Sequence, residues 1–169
     1  MRYLKSLILI LFISFPYNVL AENKIVFIDI DFLMKNSNIG KISLKKLEKL
    51  NDKNINLLKE KEKKLKEKEK TLLQKKNIIS KEEFENEINL LKNEINEFKT
   101  NKDNMVKDFN KLKVNELNTV LEKFNKKIQD YMSQNAIDIV LNKNNIFIGK
   151  VTSDITNDIL IEINKEFQW

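Results

Sequence analysis

The chain has 169 residues, 41% of them apolar and 33% charged, with 31 basic side chains against 25 acidic ones and a formal charge of +6. That composition argues against a wholly disordered chain, and two glycines with one proline favour long uninterrupted elements over a loop-rich fold. The absence of cysteine and histidine excludes disulfides, thiolate nucleophiles, zinc–thiolate sites, imidazole bases and a lipidated cysteine.

The first 21 residues read as a secretory signal peptide. Arg2 and Lys5 give a positive start, and the run LILILFISF (7–15) is apolar but short for a membrane span. Pro16 breaks the run, and Val19-Leu20-Ala21 places small residues at a cleavage site before Glu22. The mature chain is therefore expected to be exported, and no later apolar segment approaches the length of a transmembrane helix.

KIVFIDIDFLM (24–34) follows. Ile25, Val26, Phe27, Ile28 and Ile30 are β-branched or aromatic, which predicts a strand covered on both faces. Asp29 and Asp31 close it, and Phe32 to Met34 suggest a helical turn. The two carboxylates are read as helix caps rather than as an acid–base pair. NSNIG (36–40) is the only loop punctuation before a long helical stretch.

Residues 41–133 contain neither proline nor glycine. Leu58, Leu65, Leu72 and Ile79 recur every seven residues, with Leu44 and Asn51 extending the series backward. The partner positions are Leu47, Asn54, Lys61, Lys68 and Lys75, so after the first turn the apolar seam is one residue wide. A fuller seam follows in Phe84, Ile88, Leu91, Ile95 and Phe98, continues through Met105, Phe109 and Leu112, then slips frame at Leu117. Patterns of this kind wrap a partner helix. Ser80 and Glu83 form a capping box where the register restarts, so the chain is expected to fold back near 76–80. The prediction is an antiparallel coiled-coil hairpin, residues 41–133, projecting as an arm. Its outgoing limb (41–81) carries fifteen lysines against six acids, and its return limb (82–133) nine against eleven. In EKEKKLKEKEK (60–70), Leu65 alone touches the partner, and Glu60–Lys64 and Glu62–Lys66 are expected i, i+4 pairs.

The last part mirrors the first. IDIVL (137–141) and IFIGK (146–150) predict a β-hairpin around a polar turn. Thr156 is the expected N-cap of a final helix whose Ile159, Ile163 and Phe167 share one face. Residues 22–40 and 134–169 thus form a small β-rich body, and the fold class is α+β. A lone body of about 50 residues is marginal, which points to oligomerisation. Ile25, Phe27, Ile139, Leu141, Ile146 and Ile148 are the candidates for a shared core, packing within one subunit being the alternative. On the arm, Ile55, Leu57, Leu73, Ile78 and Leu90 lie outside the best seam. They are candidates for contact with a bound chain, ordinary packing inside the hairpin being the alternative.

No constellation suggests an enzyme or a cofactor. Gly40 and Gly149 are isolated, so there is no phosphate loop, and the acids on the long helices alternate with lysines. The basic surplus favours an anionic membrane surface or an acidic polypeptide as partner. Export and a single arginine argue against nucleic acid.

The order of exported signal, KIVFIDIDFLM, GKISLKKLEKL, helical hairpin and AIDIVLNKNNIFIGKVTSDITNDIL resembles the OmpH-like, or Skp, family of periplasmic chaperones. The similarity spans essentially the whole mature chain. It rests on the strand ending at Asp29, Gly40-Lys41 opening the long helix, IDIVL at 137–141 and Asp154-Ile155-Thr156 before the last helix. Lysine rather than arginine supplies nearly all the positive charge, and no arginine contact of the family is carried over. The resemblance implies a homotrimer with a shared β body and three arms around a cavity. There, unfolded outer-membrane proteins would be held without ATP. The basic arms would attract acidic unfolded chains and anionic lipid or lipopolysaccharide head groups. The competing reading is a structural or adaptor coiled coil that binds one folded partner in the envelope.

Overall fold

The computed structural model describes residues 23–167. The expected signal peptide, 1–21, lies outside the described residues. Strand β1 (Ile25–Ile28) leads into helix α1 (Ile30–Asn36), then α2 (Asn38–Lys75) and α3 (Lys81–Gln134). Strand β2 (Ile139–Asn142), two short 3-10 turns and helix α4 (Thr156–Glu166) complete the order.

The two strands pair in parallel, Ile25 with Ile139 through to Ile28 with Asn142. Parallel strands need a crossover connection. Here the whole helical arm is that crossover, which is why the first and last segments of the chain meet at its root. Asp154 takes the other edge of β1 by a parallel bridge to Phe27, and Ile155 N donates to Phe27 O at 3.0 Å.

The predicted β-hairpin of 137–141 with 146–150 is not formed. After β2 the Asn142 side chain accepts from Asn144 N, and Lys143–Asn145 winds into a 3-10 turn. That turn sends the chain away from β2 instead of back along it. Residues 146–150 form no strand, so the body holds two strands rather than three.

The loop expected at 36–40 narrows to Ser37. Its backbone N donates to Leu33 O, ending α1, while its hydroxyl accepts from Gly40 N at 3.1 Å, starting α2. One buried residue thus caps two helices. Asp29 caps α1 by accepting from Phe32 N at 2.8 Å. Thr156 is not the cap of the last helix. Asp154 accepts from Thr156 N, and the Thr156 hydroxyl, turned toward β1, accepts from Asp29 N at 2.9 Å.

The core lies at the root of the arm. Val26 and Ile28 from β1, Leu33 from α1, Val120, Phe124 and Ile128 from α3, and Ile155, Ile159 and Ile163 near or on α4 are buried together. On α4 the i, i+4 spacing of Ile159 and Ile163 presents one apolar face inward, with Phe167 packed at the margin. Helix α4 also braces the arm. Asn38 N donates to Asn164 Oδ1 at 2.9 Å, Tyr131 OH donates to Asp158 Oδ2 at 3.0 Å, and Lys127 pairs with Glu166.

Candidate functional site

The geometry of the arm follows from three ion pairs. Lys46 meets Glu116 at 2.6 Å, Lys68 meets Glu94 at 2.6 Å and Lys75 meets Glu87 at 3.1 Å. From Lys46 to Lys68 is 22 residues outward, and from Glu94 to Glu116 is 22 back; from Lys68 to Lys75 is seven, and so is Glu87 to Glu94. One antiparallel register therefore runs the length of the hairpin. Helix α2, with 38 residues, is about 57 Å long and α3, with 54, about 81 Å. Eight residues before Lys46 is Asn38, and eight after Glu116 is Phe124. The last ten residues of α3 thus lie past the start of α2, where Ile128, Tyr131 and Met132 pack into the body.

Lys68 and Lys75 hold heptad positions where apolar residues would be expected, and the structure gives them Glu94 and Glu87 on α3 as partners. In the sequence these positions are gaps in the seam, and the acids at the matching places on the return limb are the signal for the pairs. The hydrogen bond from Lys46, with burial opposing it, holds the Glu116 carboxyl below the usual range. Of the two expected pairs within EKEKKLKEKEK, Glu62–Lys66 forms at 2.8 Å, while Glu60 and Lys64 make no ion pair.

At the turn, α2 ends at Lys75 and α3 starts at Lys81, with the Ser80 hydroxyl accepting from Glu83 N at 3.2 Å. The seam between the helices is shallow. Of Leu58, Leu65, Leu72, Ile79, Phe84, Ile88, Leu91, Ile95 and Phe98, only Leu72 is buried and the rest are half-buried. Ile55, Leu57, Leu73, Ile78 and Leu90 are all exposed, Ile78 at the tip to 79%. Packing inside the hairpin does not cover them.

The second surface is the outer face of the sheet. With a two-residue period, Val26, Ile28 and Val140 face the core, whereas Ile25, Phe27, Ile139 and Leu141 share the opposite face. Phe27 is covered there by the 143–150 segment, with Gly149 against its ring and Lys143 Nζ 6.0 Å from its centroid. Ile25, Ile139 and Leu141 are open to solvent. Ile146 is half-buried, and beyond it Phe147, Ile148 and Val151 stand 103%, 86% and 88% exposed. Phe147 and Val151 are not among the shared-core candidates, because a strand at 146–150 turns Phe147 to the opposite side and ends before Val151. Three apolar residues in a row, Ile146-Phe147-Ile148, inside a polar loop were the visible signal.

A polar knot anchors this loop to the body. Asp154 receives bonds from Lys143 Nζ at 2.8 Å, Thr156 N at 3.0 Å and Thr156 Oγ1 at 2.5 Å. Burial pushes the Asp154 carboxyl up, but these bonds outweigh it and hold the group below its ordinary value. Asp31 is engaged by Asn144 Nδ2 at 3.1 Å, so both carboxylates of the Asp29–Asp31 pair serve structure. Among the described residues no group of three or more acidic, histidine or cysteine side chains is placed to hold a metal ion. No described helix is long and apolar enough to cross a membrane.

An arm-and-body protein with an open apolar sheet face and a half-open arm is the class that this geometry defines. The model of the family described as outer membrane protein (OmpH-like) matches residues 24–163, and the chain belongs to that family. Among solved structures it is similar to one described as a "putative outer membrane chaperone (OmpH-like)" from Caulobacter crescentus CB15. The TM-score is 0.80 at 17% identity, over 88% of each chain. That likeness shows a shared fold. A search of curated proteins finds no match.

Proposed function

We propose that this chain is an ATP-independent periplasmic holdase, whose arms keep unfolded outer-membrane β-barrel proteins from aggregating. The observation that carries the reading is the surface of the arm: Ile55, Leu57, Leu73, Ile78 and Leu90 stay exposed among solvated charges on a helical pair. Apolar side chains spaced along a charged rod offer many weak contacts to an extended chain, with no single pocket to select one sequence. The relative from Caulobacter crescentus is described as a chaperone, which supports the same direction.

Three copies joined through the open sheet face would give the arms a common root. Ile25, Ile139, Leu141 and Ile148 are exposed apolar groups on one small body, and Phe147 and Val151 enlarge the patch. Leaving such a patch in water is unfavourable by about 25 cal/mol per Å², so a second and third copy are its natural cover. The net +9 of residues 41–81 attracts acidic unfolded chains and anionic lipid or lipopolysaccharide head groups. No cofactor enters the scheme.

The test is dilution of urea-denatured β-barrel protein into buffer, with and without the mature chain, followed by light scattering. A holdase suppresses scattering near one trimer per client. An adaptor that binds a folded partner leaves scattering unchanged. Sedimentation across concentrations reads the trimer, and a monomer at micromolar concentration would sink the shared-root arrangement.

A further inference from the structure

Two open pockets lie end to end along the seam of the arm. One, of about 560 Å³, is lined by Leu50, Asn54, Met105, Phe109 and Leu112 among others, and the next, of about 230 Å³, by Lys64, Leu65, Glu97 and Phe98 among others. Both include Lys61 and Asn101, so they form one groove. From Leu50 to Leu65 it follows about 22 Å of helix. Lys68–Glu94 crosses the seam at its outer end, and Lys46–Glu116 lies beyond its inner end. Between those two pairs no hydrogen bond or ion pair joins α2 to α3 among the described residues, so the groove stays uncovered.

The floor of the groove is apolar, with Leu50, Leu65, Phe98, Met105 and Phe109 half-buried. The walls are polar. Lys61 and Lys64 stand on the α2 side, and Glu97 and Asp108 on the α3 side. Three primary amides stand among them, Asn54 on α2 and Asn101 and Asn104 on α3. None of the three makes a side-chain hydrogen bond among the described residues, whereas Asn36, Asn38, Asn135 and Asn144 in the body all do. An amide side chain offers a carbonyl and N–H donors, the groups that a peptide bond also needs to pair. A helix has already paired its own backbone, so laid here it would cover these amides without bonding them, which is unfavourable. An extended chain has its backbone groups free. It also turns alternate side chains to one side, where a narrow apolar floor can take them, and the others to water. The groove is long enough for about seven residues of such a chain.

We propose that the groove between α2 and α3, from Leu50 to Leu65, is a binding site for an extended polypeptide segment that alternates apolar and polar residues. Asn54, Asn101 and Asn104 bond its main chain, and the floor takes every second side chain. Main-chain bonds supply affinity whatever the sequence, and alternation is the one feature selected. Strands of a membrane β-barrel have that alternation. That the segment belongs to an unfolded barrel client rests on the chaperone reading. The groove and its preference for extended chain do not.

The probe is a fluorescent peptide of about ten residues alternating leucine with threonine, and its anisotropy is read on the full mature chain. Asn54→Ala, Asn101→Ala and Asn104→Ala together are expected to weaken its binding about tenfold. Asn56→Ala and Asn118→Ala, at exposed positions outside both pockets, leave binding unchanged. Alanine is the better helix former, so the arm keeps its helix in these variants. N-methylation of alternate peptide bonds in the probe removes its donors and weakens binding by a similar factor. The chain has no cysteine, so a photo-crosslinker can be attached at one chosen place. Attached through Met105→Cys it captures the peptide; attached through Val106→Cys, exposed but outside both pockets, it does not. Undiminished binding by the triple alanine variant overturns the site, and so does equal capture at 105 and 106. An amphipathic helical peptide that binds as tightly as the alternating one overturns the preference for extended chain. If the triple variant loses helix, the two crosslinking chains decide alone. Capture at 105 without suppression of barrel aggregation counts against the chaperone reading and leaves the groove standing. Suppression of aggregation without capture at 105 counts against the groove alone.

Discussion

Gly149 lies flat against the ring of Phe27: a Cβ placed on the glycine would stand 2.8 Å from Phe27 Cε1. The contact holds the loop that carries Phe147 and Ile148 onto the sheet. Alanine or valine at 149 must push the loop or the ring aside, and overpacking of this kind costs about 1–3 kcal/mol. Gly149→Val is expected to lower the urea midpoint and to weaken self-association, because the displaced loop takes its exposed apolar residues with it. Adding Phe27→Leu should restore part of the loss by making room. Urea titration and sedimentation at one fixed protein concentration check both effects, since assembly makes stability concentration-dependent. A Gly149→Val chain indistinguishable from wild type would show that the loop does not rest on Phe27.

Gly40 is constrained more tightly. It sits in the first turn of α2, folded back on α1, and a Cβ there would come within 2.8 Å of both the Met34 carbonyl carbon and Ser37 Oγ. Backbone cannot yield as a side-chain tip can. Gly40→Ala should therefore cost at least about 2 kcal/mol, although alanine is the better helix former. The ordinary propensity gain of about 1 kcal/mol has the opposite sign, so circular dichroism with urea decides cleanly. A stabilised Gly40→Ala variant would mean that α1 and α2 do not meet at this angle.

The rung between Lys68 and Glu94 is half-exposed on both sides, so its worth is small, about 0.2–1 kcal/mol. Its value lies in register. Lys68→Glu places two acids together and should destabilise the arm by a similar amount. Glu94→Lys added to it should bring stability back to near wild type. Both effects should shrink in 1 M salt, where the screening length falls to about 3 Å. If the double reversal is no more stable than either single one, the register set by the three pairs is wrong.

How much of this was legible beforehand depends on the range of the signal. The arm was legible, because a heptad is a local repeat and the Ser80–Glu83 cap marks where it restarts. The sharing of β1 between both chain ends was legible only as composition. Ile146, Phe147 and Ile148 look like a strand in isolation, yet Asn142 caps a 3-10 turn and turns the chain away, so local propensity lost to local hydrogen bonding. Thr156 looks like a cap, yet it is the first residue of the last helix: Ile155 holds the N-cap position without a side-chain bond, and Asp154 one residue earlier accepts from Thr156 N. The rungs at Lys46, Lys68 and Lys75 needed the fold-back register, which no single helix displays. The odd-numbered apolar face of β1 and β2 could be listed from the sequence, but its openness to solvent could not.

Acid and alkali should act on this protein only at the extremes. With no histidine and no cysteine, no side chain of ordinary pKa titrates between about pH 5.5 and 7.5. Glu116 is held below its ordinary value chiefly by the Lys46 hydrogen bond, and Asp154 by Lys143 and Thr156 against the opposing effect of burial. A carboxyl depressed in the folded state stabilises fully above its unfolded value, near 4, and that contribution disappears as pH falls through the lower folded value. Lys127, bonded to Glu166, and Lys143, bonded to Asp154, are raised. Their contribution is complete below about pH 10 and is lost only as pH climbs through the raised values. The expected urea midpoint is therefore flat from about pH 5.5 to 8.5, falling below about 4. Asp154→Asn should lower the plateau and make the acid limb shallower, because the variant has no carboxylate there to protonate. A midpoint that changed between pH 6 and 8, or an acid limb unaltered by Asp154→Asn, would show that the knot joining the exposed loop to α4 does not hold the fold together as described.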